Sequence, residues 1–187
     1  MYTSRDQLYM ERVHVLAPMI HKRRYFSWAR ATDKTESQIC LQYAMWTMAA
    51  SLSTQFHNIR DSLYETTRQL LMRNDACNRR METVHLEQVQ ARILISIYEF
   101  MRSSYRSAWM TAGYCFRLVQ LMRLYEIDAT GNKNTFCEPG VWTTMEERRR
   151  TFWMAYLLDR FASLNDGWPL TLSESVVSLS MGCYCLK

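Results

Sequence analysis

Apolar residues in this chain recur at helical spacing, and runs that alternate every second residue are few. The clearest stripe is Leu86, Val89, Ile93, Ile97 and Phe100, close to the i, i+3, i+4, i+7 pattern of one helix face. It predicts a helix over Met81–Arg102. Upstream, a short helix over Arg5–His14 ends before Pro18, and Tyr25, Phe26 and Trp28 form an aromatic segment. A polar break covers Thr32–Ser37. Thr35-Glu36-Ser37-Gln38 then has the form of a capping box, in which the Thr hydroxyl and the Gln side chain satisfy each other's backbone N–H. Ile39–His57 reads as one long apolar helix. Asp61–Arg73 is amphipathic, with Leu63, Leu70 and Leu71 inward, and Asn74–Arg80 is a polar loop. After Ser103-Ser104, Trp109, Ala112, Phe116, Val119 and Met122 mark a further helix. Gly113 inside it costs up to ~1 kcal/mol of helix propensity, which predicts close approach of another helix there. Asp128–Gly140 reads as a loop. The fold class that follows is all-α, a single-domain antiparallel array of helices joined by short loops.

The last helix carries the most unusual pattern. Glu146, Glu147, Arg148, Arg149 and Arg150 form a charged entry, and the positions Phe152, Ala155, Leu158 (or Asp159) and Ala162 follow helical spacing along one face, with Trp153, Leu157 and Phe161 on another. Two apolar faces predict burial on more than one side. Thr143-Thr144-Met145-Glu146 has capping-box form, which would put Glu146 and Glu147 in a first turn favoured by the helix dipole. Gly167 suits a left-handed C-terminal cap, and Pro169 stops the helix from continuing. Asp159 lies amid apolar neighbours, where a carboxylate needs a partner. Arginine is the natural one, because its fork matches a carboxylate. Arg160 is adjacent in sequence but points about 100° away around the helix, so Arg149 or Arg150 would reach Asp159 only through another turn or helix. A solvated surface charge is the alternative. The apolar setting favours a buried structural ion pair.

Composition narrows the class. Five Gly and three Pro are few for 187 residues, in keeping with a helical domain large enough for one real core. The formal charge of +5 is diffuse, its densest runs being Lys22-Arg23-Arg24 and Arg148-Arg149-Arg150. Both read as solvated helix faces, so DNA binding by this chain should be weak, unselective and salt-sensitive. Six cysteines are scattered without a zinc spacing, and Cys40 and Cys115 read as small core residues in a reducing compartment. No run approaches the ~20 apolar residues that span a bilayer, and no membrane partner is expected.

Catalytic signatures are missing from the sequence: it contains no G-x-S-x-G, G-x-x-x-x-G-K-[ST] or H-E-x-x-H. His85-Leu86-Glu87 matches H-x-E, but the P-C-x-x-C that a zinc deaminase needs does not accompany it. The expectation is a non-enzyme with no catalytic, cofactor-binding or metal residues.

The stretch Glu146–Pro169 resembles the hallmark of the fungal-specific transcription factor domain, the middle homology region of fungal zinc binuclear cluster regulators. Tyr9–Pro18, with its V-H-x-x-x-P form, is similar to the family's opening segment. Trp109, Gly113, Arg117 and Leu121 or Leu124 are similar to a W-x-x-x-G-x-A-x-R pattern ahead of the hallmark, with Cys115 at the small position. The resemblance implies structural motif roles for Glu147, Arg148, Arg149, Arg150, Phe152, Trp153, Leu158, Asp159, Arg160, Ser163, Gly167 and Pro169. It implies a nuclear regulatory domain for metabolic genes over residues 1–175, with residues 176–187 as a divergent tail. The family's zinc and its DNA contact belong to a six-cysteine module of full-length relatives that this sequence does not carry. Trp168 departs from the pattern, which often has Arg there, and Val176–Lys187 loses it, as a truncated product would. The expected partners are proteins or a second copy. The alternatives are a stand-alone helical interaction module, or a small-molecule sensor with its pocket among the Met- and aromatic-rich helices.

Overall fold

The capping box at the start of the long apolar helix forms. Gln38 N donates to Thr35 Oγ1 at 3.2 Å, and Thr35 N donates to Gln38 Oε1 at 3.1 Å. The structure in which this is seen is a computed structural model, describing residues 4–77, 84–127 and 139–172. In chain order it holds α1 (Ser4–Leu8), a π-helical turn (Tyr9–Val13), α2 (Lys22–Trp28), α3 (Glu36–Ser51), a 3-10 turn (Thr54–Ile59), α4 (Arg60–Cys77), α5 (Leu86–Met101), α6 (Tyr105–Leu121), a 3-10 turn (Leu124–Glu126) and α7 (Pro139–Asp166). No strand occurs among the described residues.

Helices α3 and α5 form the centre. α5 packs against α3 and α6, α3 also against α4, and α7 lies across α5 and α6. Cys40, Ala44, Met45 and Ala49 of α3 meet Val89, Ile93 and Leu94 of α5 in one continuous core, which Cys115, Val119, Phe152 and Ala155 extend towards α7. The expected α5 stripe is buried at Leu86, Val89, Ile93 and Phe100, and half-buried at Ile97. Cys40 and Cys115 are free thiols within this core, and burial pushes both up to about 12.

The boundaries differ from the sequence reading in four places. Helix α3 stops at Ser51 and not at His57. The Ser51 hydroxyl donates to Met48 O at 2.7 Å, a side-chain bond that competes with the helix, and Ser53 is extended. Helix α4 continues through Asn74 and Asp75 to Cys77, where a loop was expected, because Asp75 pairs with the buried Arg92 of α5. Residues 78–80 of that loop lie outside the described residues, as do residues 81–83 of the predicted helix, and α5 begins at Leu86.

The fourth difference is the start of α7. It begins at Pro139, a residue whose fixed φ and missing N–H suit the first helical turn. Thr143 is therefore inside the helix and is not its cap. The neighbouring Thr144 hydroxyl donates back to Gly140 O at 3.0 Å, the usual fate of a mid-helix threonine. Glu146 and Glu147 accordingly lie about two turns in, beyond the reach of the dipole argument. Of the expected loop Asp128–Gly140, residues 128–138 lie outside the described residues. Gly113 also differs from expectation: a Cβ placed there meets nothing within 4 Å, so no helix presses on it.

Candidate functional site

Helix α7 places Asp159 at its inner edge, 3% exposed. The chain leaves the helix at Asp166, and Gly167 takes the left-handed conformation at φ +68. Its N–H closes the helix on Ser163 O at 2.8 Å. The Ser163 hydroxyl donates to Trp168 O at 2.7 Å and pins the first residue after the turn. Pro169, which has no N–H to donate, follows where the helix has ended. This reversal brings residues 171 and 172 back beside Asp159.

The carboxylate receives them. Thr171 N donates to both oxygens, at 3.2 and 3.0 Å, and Leu172 N donates to Oδ2 at 2.8 Å. Arg160 completes the arrangement by donating from Nη2 to Leu172 O at 2.9 Å. Its Nη1 lies 3.4 Å from Asp159 Oδ2, and its guanidinium stacks 4.2 Å from the centre of the Tyr156 ring. The two adjacent residues thus hold Leu172 by both of its backbone polar groups, Asp159 at the N–H and Arg160 at the C=O. Asp159 is buried, as the sequence suggested, but its chief partners are backbone amides. The arginine that meets it is Arg160, because a long flexible side chain bridges the 100° offset.

The charged entry is equally occupied. Glu147 is buried and joins three elements. Its Oε1 accepts from His21 N at 3.3 Å and from Gln90 Nε2 at 3.4 Å, and its Oε2 accepts from Arg24 Nη1 at 3.1 Å. Gln90 also donates to Thr151 Oγ1 at 3.2 Å and Met19 O at 3.3 Å. Glu146 holds Arg149 at 2.5 Å and Arg150 at 2.8 Å, and Arg150 reaches Pro18 O at 3.5 Å. Arg148 faces solvent. Phe152 and Leu158 are core residues, and Trp153 is half-buried. The expected burial of a second face is not found: Leu157 and Phe161 are 55% and 56% exposed. Phe161 meets Phe100 edge to face, with ring centres 5.5 Å apart.

Two further buried polar clusters escaped the sequence reading. Asp6 Oδ1 accepts from Tyr25 OH at 2.5 Å and from Trp46 Nε1 at 2.7 Å, which ties α1, α2 and α3 together. Glu99 Oε1 accepts from Tyr64 OH at 2.6 Å and Arg68 Nη1 at 3.2 Å, which ties α4 to α5. Burial raises the hydroxyl pKa of both tyrosines, and the carboxylate beside each adds to the shift. For the second cluster the available signal was the set of polar residues interrupting the apolar run of α5, namely Gln88, Gln90, Arg92, Ser96 and Glu99. No group of three His, Cys, Asp or Glu that could hold a metal occurs among the described residues. No described helix is long and apolar enough to cross a membrane.

Comparison with known proteins gives the family. Residues 7–185 match the fungal specific transcription factor domain, a span that runs into the tail set apart above. The chain is 55% identical over 179 residues to the pigment biosynthesis transcriptional activator pigB of Monascus ruber, covering 94% of this chain and 32% of that protein. It is 47% identical over 173 residues to the tropolone cluster transcription factor tropK of Talaromyces stipitatus, covering 92% and 30%. It is 48% identical over 172 residues to the citrinin biosynthesis transcriptional activator mrl3 of Monascus ruber, covering 92% and 33%. The chain spans about a third of the length of these relatives. No solved structure matches it. With the family match running over residues 7–185 and relatives 47–55% identical over more than nine-tenths of its length, the chain belongs to the fungal-specific transcription factor domain family, a regulatory region of fungal transcription factors.

Proposed function

We propose that this chain is the non-catalytic regulatory region of a nuclear activator that controls a biosynthetic gene cluster. The observation that carries the reading is the 55% identity, over 94% of the chain, to an activator of pigment biosynthesis. The geometry supports the non-catalytic part. Asp159 and Glu147 are the buried carboxylates of the hallmark, and their oxygens are taken up by backbone amides, Gln90, Arg24 and Arg160. Groups so engaged hold a shape and do not move protons to a substrate. On this reading DNA is contacted through a zinc-cluster module elsewhere in the full-length protein, and this region acts through protein partners or self-association.

The test is a chimera in which this chain replaces the matching third of the Monascus ruber pigment activator. The expected result is nuclear accumulation and pigment output close to the unmodified activator. The same chimera with Asp159→Ala should lose most of its output. A parent chimera that reaches the nucleus at normal abundance but gives no pigment would overturn the reading.

A further inference from the structure

A cleft of about 390 Å³ opens between α6 and the turn that follows α7, within the size range in which small molecules are held. Trp109, Gly113 and Arg117 line it from α6, and Ser163, Trp168 and Pro169 from the other side. Trp109 and Trp168 meet with ring centres 4.9 Å apart at 51° and form an aromatic wall. Gly113 leaves room on the α6 side of the cleft. A residue with poor helix propensity sits mid-helix, yet the space its missing side chain leaves is filled by nothing within 4 Å.

The cleft is electrostatically one-sided. Asp159 borders it, but its oxygens are turned to the amides of Thr171 and Leu172. Arg117 donates one N–H to Gln120 Oε1 at 3.0 Å and makes no ion pair among the described residues. A guanidinium carries five donors, so Arg117 retains several for an incoming anion. We propose that this cleft binds a planar aromatic molecule bearing a carboxylate, with the ring against Trp109 and Trp168 and the carboxylate on Arg117. As an effector site for regulation, the proposal rests on the function argued above; the binding itself does not.

The test is calorimetric titration of the protein with 2-naphthoate, with neutral 2-naphthamide and non-aromatic cyclohexanecarboxylate in parallel. Naphthoate should bind saturably, naphthamide at least about threefold more weakly, the scale of an exposed charge pair, and cyclohexanecarboxylate more weakly still. Arg117→Gln should bring naphthoate down to the naphthamide level and leave naphthamide unchanged. Gly113→Leu should abolish binding of both while melting at or above the parent temperature, since leucine is the better helix former. The proposal is overturned if naphthoate shows no saturable binding, if acid and amide bind alike, or if Arg117→Gln or folded Gly113→Leu binds as the parent does. Loss of pigment output in the chimera would leave this titration unaffected, so the two readings fail separately.

Discussion

Asp159 shows how much can rest on one carboxylate. It accepts three backbone hydrogen bonds while 3% exposed. Removing it strands two N–H groups and leaves Arg160 beside an uncompensated pocket. Asp159→Ala should therefore cost about 3–5 kcal/mol, the range for breaking a buried charged arrangement by deleting one partner. Asp159→Asn, which keeps one acceptor oxygen, should cost less. Denaturant melts read both, and an alanine variant as stable as the parent would place the carboxylate in water. His14 offers an independent test. Burial first, then the charges of Lys22 and Arg150, lower its pKa from 6.5 to about 4. It is neutral in both folded and unfolded states above pH 6.5, so it contributes no pH dependence there. Between pH 6.5 and 4 the unfolded chain takes up a proton that the folded one refuses, and stability falls with pH. His14→Gln should flatten the fall in denaturation midpoint between pH 7 and pH 5. An unchanged slope would assign the loss to other groups.

At the scale of elements, the parts of the fold that were legible are those set by local chemistry. The Thr35–Gln38 box fixes the start of α3 as the sequence suggested, and Gly167 adopts the left-handed cap its position called for. Other features depend on a partner far away in sequence. Whether Asn74 and Asp75 are helix or loop is decided by Arg92 on α5. Thr143 looked like a cap because its local motif is correct, but Pro139 starts the helix earlier. The role of Glu147 is set by His21, Arg24 and Gln90, which no local pattern links to it. Glu147→Ala should unhook the start of α2 from α7. Hydrogen exchange should then accelerate in Lys22–Trp28 while α5 amides stay protected. Uniform acceleration across the chain would mean that Glu147 supports global stability and makes no local tie.

For the whole molecule, α7 faces inward along Phe152, Ala155, Leu158 and Ala162, and outward along Leu157, Phe161 and Leu164, the last 86% exposed. An apolar row of this kind on a helix promotes association. Sedimentation should show concentration-dependent self-association of the chain, reduced by the double substitution Leu157→Gln with Leu164→Gln. A monomer at all concentrations would show that the row is tolerated in water. The all-α class was readable from periodicity alone. The site was only half readable, since the identity of Asp159 and Arg160 was plain but their target was the backbone of Thr171 and Leu172, about a dozen residues on.

That target gives the central claim, that Asp159 and Arg160 fold the post-helix segment back onto α7. Residue-resolved amide hydrogen exchange at Thr171 and Leu172 tests it most directly. The account predicts strong protection of both amides in the parent, lost in Asp159→Ala while the α5 amides remain protected. Exchange of Thr171 and Leu172 at unstructured-peptide rates in the parent would contradict it.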